Sequence, residues 1–344
     1  MKFLIGKKED FITFLNSITK KDRIAVVSHD DLDGVASAVL MSEILEENKT
    51  RVHSLYFISY KKGMLKEIHS ELIKKKITRI FILDINVYTD YEEFEKFRKD
   101  FGIFLIDHHP SDIKEEENII KTETENCVTF VLYEIGKEII NLDKWKPLIC
   151  ATMIAEFSHN LQENFEFIKE LYPETEKKDI LNSVPGKLSQ EITSALIYLK
   201  GKEKKIFNLI KKNKYYKFKK YHQVVEEEIH RCVEKFRKEA EFYPERNLYF
   251  FYSSPRFSIS SIVVTILSLE QKDKTFVFVS DVKEQSNFVK VSARNQSGNT
   301  NLNELMKRGI DGLENASGGG HVKASAAIFL RSDLEKFKKN ILEQ

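Results

Sequence analysis

Four short apolar runs alternate with amphipathic stretches over the first 110 residues. "RIAVVS" leads into "GVASAVLMSEILEEN", where Val35, Val39, Ile44 and Leu45 fall on one helical stripe. "RVHSLYFIS" leads into "GMLKEIHSELIKKK", "RIFILDIN" into "DYEEFEKFRKD", and "GIFLIDHHP" follows. Short runs rich in β-branched residues read as buried strands, and stretches with a 3.6-residue period read as helices. Their regular alternation predicts an α/β fold, with an N-terminal, mostly parallel sheet flanked by helices.

The pattern changes further along. "CVTFVLYEIGKEI" and "WKPLICATMIAEFSHNL" predict two helices with apolar faces between residues 126 and 170. "YHQVVEEEIHRCVEKFRKEAE" places Val225, Ile229, Cys232 and Phe236 at helical spacing, as a connecting helix would. After Pro244 the strand pattern resumes with "NLYFFYS", "KTFVFVSD" and "FVKVSARN". A glycine-rich turn, "ASGGGHVKASAAIF", and a charged terminal helix complete the chain. The expected organisation is a first α/β domain over 1–185, a helical connecting segment over 186–244 and a smaller C-terminal α/β domain over 245–344.

Composition narrows the picture. The 344 residues are 42% hydrophobic and 31% charged, which excludes wholesale disorder. Net charge is +2, so nucleic-acid binding would need a local basic patch rather than a uniformly basic surface. Cys127, Cys150 and Cys232 have no CxxC spacing, so neither a zinc knuckle nor a disulfide framework is indicated. "MKFLIGKKEDF" meets charge too early for a signal peptide, and no apolar run is long enough to span a bilayer. The expectation is a cytoplasmic protein with no membrane contact.

Chemistry gathers at the ends of the predicted strands. In a parallel sheet, sites form outside the carboxyl ends of the strands. There stand "SHDDLDG" at 28–34, "LDIN" at 83–86 and "IDHHP" at 106–110. Crowded carboxylates repel one another and need cations when desolvated. A calcium-binding EF-hand is excluded, because His29 and Leu40 occupy the positions of its first Asp and last Glu. A phosphate-cradling loop is excluded by the acids themselves. Carboxylate with imidazole suits manganese, zinc or iron. His29, Asp31, Asp33, Asp84 and His108 supply ligands enough for two ions, with Asp107 and His109 beside them.

These motifs, followed more than 200 residues later by "SGGGHVKASAA", resemble those of the DHH phosphoesterases with a DHH-associated C-terminal domain. That family includes RecJ-like exonucleases, nano-RNases, pAp phosphatases and cyclic-dinucleotide phosphodiesterases. The resemblance implies a metal-site role for His29, Asp31, Asp33, Asp84, Asp107 and His108, and a catalytic role for His109 and Asp107. Glu156 in "CATMIAEFSHN" stands where the family usually has Asp, with His159 as the substitute one turn on. Arg294 matches a residue that grips a substrate phosphate. Gly318, Gly319, Gly320 and His321 match a turn that closes on the nucleotide.

The implied protein is a two-metal phosphodiester hydrolase using manganese, with magnesium as the alternative. It would act on single-stranded DNA, RNA or short oligonucleotides and release nucleoside monophosphates. A cyclic-dinucleotide phosphodiesterase, a pAp-type phosphatase and a non-catalytic module in a replication or repair assembly are the alternatives. A homo-oligomer is compatible with the sequence. Residues 200–220 hold ten lysines and one glutamate among aromatic residues. They read as a solvated helical face or, as the rival, a nucleic-acid track with Tyr215 and Phe218 as stacking partners.

Overall fold

Each apolar run marked as a strand between residues 23 and 107 forms one. The computed structural model describes residues 1–59, 63–110, 117–283, 285 and 287–343. It divides into two compact units, Met1–His222 and Gln223–Gln344. The first begins with β1 (Phe3–Ile5), α1 (Lys8–Asn16), β2 (Ile24–His29), α2 (Leu32–Glu47), β3 (Val52–Ile58) and α3 (Met64–Lys74). It continues with β4 (Arg79–Leu83), α4 (Tyr91–Asp100), β5 (Gly102–Asp107), β6 (Ile119–Thr122) and α5 (Val128–Gly136). Then come α6 (Lys146–Ala155), α7 (Gln162–Leu171), α8 (Val184–Tyr198), α9 (Glu203–Lys211) and α10 (Lys219–Glu239), the last of which carries the boundary between the units.

The first sheet runs β1-β6-β5-β4-β2-β3, parallel throughout except for β1, which pairs antiparallel with β6. The chain passes from β2 outward to β3, then back across to β4 on the other side of β2. That reversal makes the β2–β4 seam a topological switch point, where crevices open at the carboxyl ends of strands. One face is packed by α1, α2 and α5 through residues such as Phe11, Val35 and Val131, the other by α3 and α4 through Leu65, Leu72 and Phe97.

Helix α2 departs from the single stripe its sequence suggests: every residue from Leu32 to Leu45 is buried. It packs on the sheet and against α5, α6 and α9 at once, so it is buried on every side, with Gly34, Ala36, Ser37 and Ala38 easing the close packing of its first half.

In the lysine-rich stretch most lysines are exposed, as on a solvated face, whereas two aromatics of the rival reading turn inward. Phe218 is wholly buried and Tyr215 packs against the same core, so neither is a stacking platform. Lys211 pairs with Glu43 and Glu46 of α2. Phe218 and Tyr215 serve packing while Tyr216 is exposed, and Lys211 serves as an anchor of α9.

The second unit contains β7 (Glu241–Tyr243), β8 (Leu248–Tyr252), α11 (Ser260–Glu270), β9 (Thr275–Asp281) and β10 (Phe288–Arg294). It ends with α12 (Leu302–Gly309), β11 (Ser317–Gly320), β12 (Ala324–Leu330) and α13 (Leu334–Leu342). Its sheet order is β11-β12-β10-β9-β8-β7, around a core that includes Val291, Phe329 and Phe337. The glycine segment expected as a turn is an edge strand, with Gly318 opposite Ala327 and Gly320 opposite Ser325. Among the described residues no helix is long and apolar enough to cross a membrane. All three cysteines are free and buried.

Candidate metal centre

Register brings the polar strand ends together. Ser28 pairs with Leu83, and Leu83 with Ile106, so His29, Asp84 and Asp107 are neighbours along the carboxyl edge of β2, β4 and β5. Asp84 has a left-handed backbone, φ 59°, and its N–H donates to the Ile106 carbonyl at 2.9 Å. Asp tolerates that region better than most residues, at a cost of about 1 kcal/mol. The chain thus turns sharply as β4 ends, leaving a carboxylate that is 1% exposed.

Asp84 sits between two sets of donors. Its Oδ1 lies 3.3 Å from His108 Nε2 and 3.8 Å from His109 Nδ1. Its Oδ2 lies 3.7 Å from His29 Nδ1, which is 2.8 Å from Asp31 Oδ2. Asp84, His108 and His109 form one group of potential ligands, and His29, Asp31 and Asp84 another, each with donor atoms within 4.8 Å. Asp84 belongs to both.

Local structure fixes these side chains. Asp31 is the N-cap of α2, with Oδ1 accepting the Gly34 N–H at 2.9 Å. His108 Nδ1 meets the Thr124 carbonyl at 3.0 Å; donating there, it presents Nε2 on the Asp84 side. Such a backbone partner sets the tautomer and orientation of a ligating imidazole. Burial works against the charged form of His29, but Asp31 and Asp84 outweigh it and push its pKa up to about 11. The same opposition, with Asp84 dominant among the attractions, takes His108 to about 10.

Four expected residues lie outside both groups. Asp107 is outside both ligand groups: Oδ1 faces His109 Nδ1 at 2.7 Å, and Oδ2 accepts from Lys121 Nζ at 3.0 Å. Burial alone would raise its pKa, but His109 and Lys121 hold it below the usual carboxylate value. Asp33 also lies outside both groups. Its oxygens accept the N–H groups of Val128 and Thr129, at 2.7 and 2.8 Å, and the Thr129 hydroxyl at 2.6 Å. Burial and the nearby Asp84 nevertheless raise it to about 7. Glu156 closes α6, outside both groups; burial, then Asp33, Asp31 and Asp84, push it up to about 9. His159 is buried, outside both groups, and burial favours its neutral form.

Sequence reasoning missed Lys121. It is 3% exposed, on β6, and also donates to the His109 carbonyl at 2.5 Å. A lysine within the strand "IIKT" carries no motif; only the fold puts it beneath the histidines.

The donor chemistry fits divalent ions. Either group offers imidazole and carboxylate without thiolate, a hard-to-intermediate set that suits manganese or magnesium. Around it, burial and then neighbouring acids raise the pKa values of Asp33 and Glu156, so the cluster takes up protons where cations would neutralise it.

In the second unit, Arg294 ends β10 opposite Ala324, and Gly320 lies opposite Ser325 on the far side of β12. Arg294, the glycine strand and His321 therefore share one end of the sheet. Arg294 Nη2 donates to Ser261 Oγ at 2.8 Å, and the Gly320 N–H to Asn303 Oδ1 at 3.2 Å.

A parallel sheet with an acid–imidazole cluster at its switch point, joined to a second α/β unit, defines a recognisable class. The chain belongs to the DHH family: the model of that family's N-terminal domain matches residues 23–181, and that of the DHHA1 domain matches 249–344. Among solved structures it resembles an exonuclease RecJ bound to manganese, with TM-score 0.74 and 16% identity over 97% of this chain and 92% of that one. RecJ from Thermus thermophilus in complex with Mn²⁺ gives TM-score 0.72 and 15% identity over 97% of this chain; the match spans 54% of the Thermus protein. CDC45 from Entamoeba histolytica gives 0.64 and 12% identity over 98% of this chain and 99% of that one. No curated protein matches by sequence.

Proposed function

We propose that the protein is a metal-dependent phosphodiester hydrolase that trims short single-stranded nucleic acids to nucleoside monophosphates. The observation that carries this is Asp84, common to two ligand groups as a carboxylate bridging two divalent ions would be. Ions held by His29, Asp31, Asp84 and His108, with Asp33 and Glu156 as further candidate ligands, would supply Lewis acidity to the scissile phosphate and acidify the attacking water.

The chain's own groups do the rest. Asp107, itself held by Lys121, fixes the His109 ring through Nδ1, leaving its other nitrogen to meet the phosphate or pass a proton. Arg294 suits a phosphate through its planar fork, and the glycine strand allows close backbone approach. Retention of His29, Asp31, Asp84 and His108 argues against a non-catalytic module. The packing of Tyr215, Phe218 and Lys211 into the first unit favours short substrates over long strands.

The test is product analysis on end-labelled DNA and RNA of two to about twenty nucleotides, a range spanning a compact site and a longer groove. Mononucleotide release with Mn²⁺, ended by chelation and fastest on the shortest chains, is expected. Full activity after exhaustive metal removal would refute the metal-dependent reading.

A further inference from the structure

Phe157 is held in a conformation that favours glycine. It follows Glu156 at the end of α6 with φ 56° and ψ 14°, the left-handed seat that commonly ends a helix. A bulky side chain there costs about 1 kcal/mol, and such strain persists only where the surroundings enforce it. The other described non-glycine residues with positive φ are asparagines, lysines and Asp84; Phe157 is the one aromatic among them.

Packing explains little of it: the residue is 69% exposed, its ring meeting the edge of the turn at His159, 6.1 Å between centroids. Its backbone, by contrast, is fixed on both sides. The Ser158 hydroxyl accepts the Cys127 N–H at 3.1 Å, and Asn164 Nδ2 donates to the Ser158 carbonyl at 3.0 Å. Cys127 immediately precedes Val128 and Thr129, whose N–H groups hold Asp33. On the other side, the Glu156 N–H donates to the Thr152 carbonyl at 3.0 Å and the Phe157 N–H to the Ile154 carbonyl at 3.2 Å. A fixed turn, joined through Cys127 to the start of α5 that holds Asp33 two residues from Asp31, therefore presents an exposed aromatic residue.

Resting on the phosphodiesterase reading, we propose that Phe157 is the platform on which a nucleobase of the substrate stacks. Every base has a π-face, so one ring serves any sequence, as end-trimming requires. The assignment makes the substrate base-bearing: an inorganic polyphosphate would gain nothing from the ring.

The experiment uses the full chain with Mn²⁺ and a non-hydrolysable dinucleotide carrying 2-aminopurine, with an abasic counterpart as control. Phe157→Ala and Phe157→Gly should weaken binding of the 2-aminopurine compound roughly five- to a hundredfold and abolish its fluorescence quenching. Phe157→Trp should retain both. Binding of the abasic compound should not change, and the melting temperature of Phe157→Gly should hold or rise, since glycine fits the backbone without strain. Wild-type quenching in the Ala and Gly variants, equal losses on both compounds, or no binding by the wild type would overturn the proposal. Failure of the wild type to cleave any phosphodiester would refute the functional reading, while the binding comparison would still decide the stacking.

Discussion

The carboxylate of Asp33 and the hydroxyl of Thr129 lie 96 positions apart along the chain and meet at 2.6 Å. With the Val128 and Thr129 N–H groups on the same carboxylate, Asp33 caps α5 from another helix. Cys127, the local N-cap, makes no side-chain cap bond.

Asp33→Ala should therefore destabilise the fold as well as the site. Two buried N–H groups lose their acceptor, at a cost of about 2–4 kcal/mol. Thermal melting in chelator should show a drop of several degrees. An unchanged melting temperature would mean that water or another acceptor replaces the carboxylate.

Asp84→Asn should behave differently. Asn tolerates the left-handed backbone, so the metal-free fold should survive. Mn²⁺ should raise the melting temperature of the wild type, as any ligand selective for the native state does, but not that of the variant. A full metal-dependent rise in Asp84→Asn would remove this residue from the shared position.

In chelator, stability should fall as pH rises from about 5 to 9. Asp33 and Glu156 have folded values raised to about 7 and 9, so the folded state binds more protons than the unfolded chain above the ordinary carboxylate range. His29 and His108, raised to about 11 and 10, act in the same sense: their stabilisation is complete below the usual imidazole value and is lost as pH climbs towards the folded ones. Mn²⁺ should flatten the slope, because ligand binding displaces those protons. Denaturant titrations at several pH values would read it, and a slope of opposite sign would contradict the assignment.

Lys211→Gln should lower stability, whereas Lys212→Gln should not. Burial opposes the charge of Glu43, and Lys144 and Lys211 overcome that to keep its pKa low. Removing Lys211 weakens the tie between α9 and α2, while Lys212 is exposed. Equal melting temperatures for the two variants would show that Lys144 suffices.

The strands of the first sheet and the clustering of acids at their ends were legible because a buried parallel strand is a continuous apolar run, and a polar residue closing it stands out. His29, Asp84 and His108 were found that way. Lys121 was not, since a lone lysine in a short strand looks like any solvated charge until β6 is placed beside β5. Tyr215 and Phe218 misled for the converse reason: aromatic spacing alone cannot say which side of a helix meets the core. The glycine segment read as a turn because three glycines lack the β-branched signature of a strand, yet pairing with β12 makes them one.

That edge strand bears on how the protein behaves in concentrated solution. An outermost strand invites another chain to add to its ladder, and β11 has no side chains on Gly318, Gly319 or Gly320 to repel one. Its protection lies in brevity, four residues, and in Asn303, which occupies the Gly320 N–H. Losing that asparagine would leave the Gly320 N–H open to the backbone of another chain, so one side-chain amide of α12, far along the sequence from the acidic cluster, helps to keep the margin of the sheet closed.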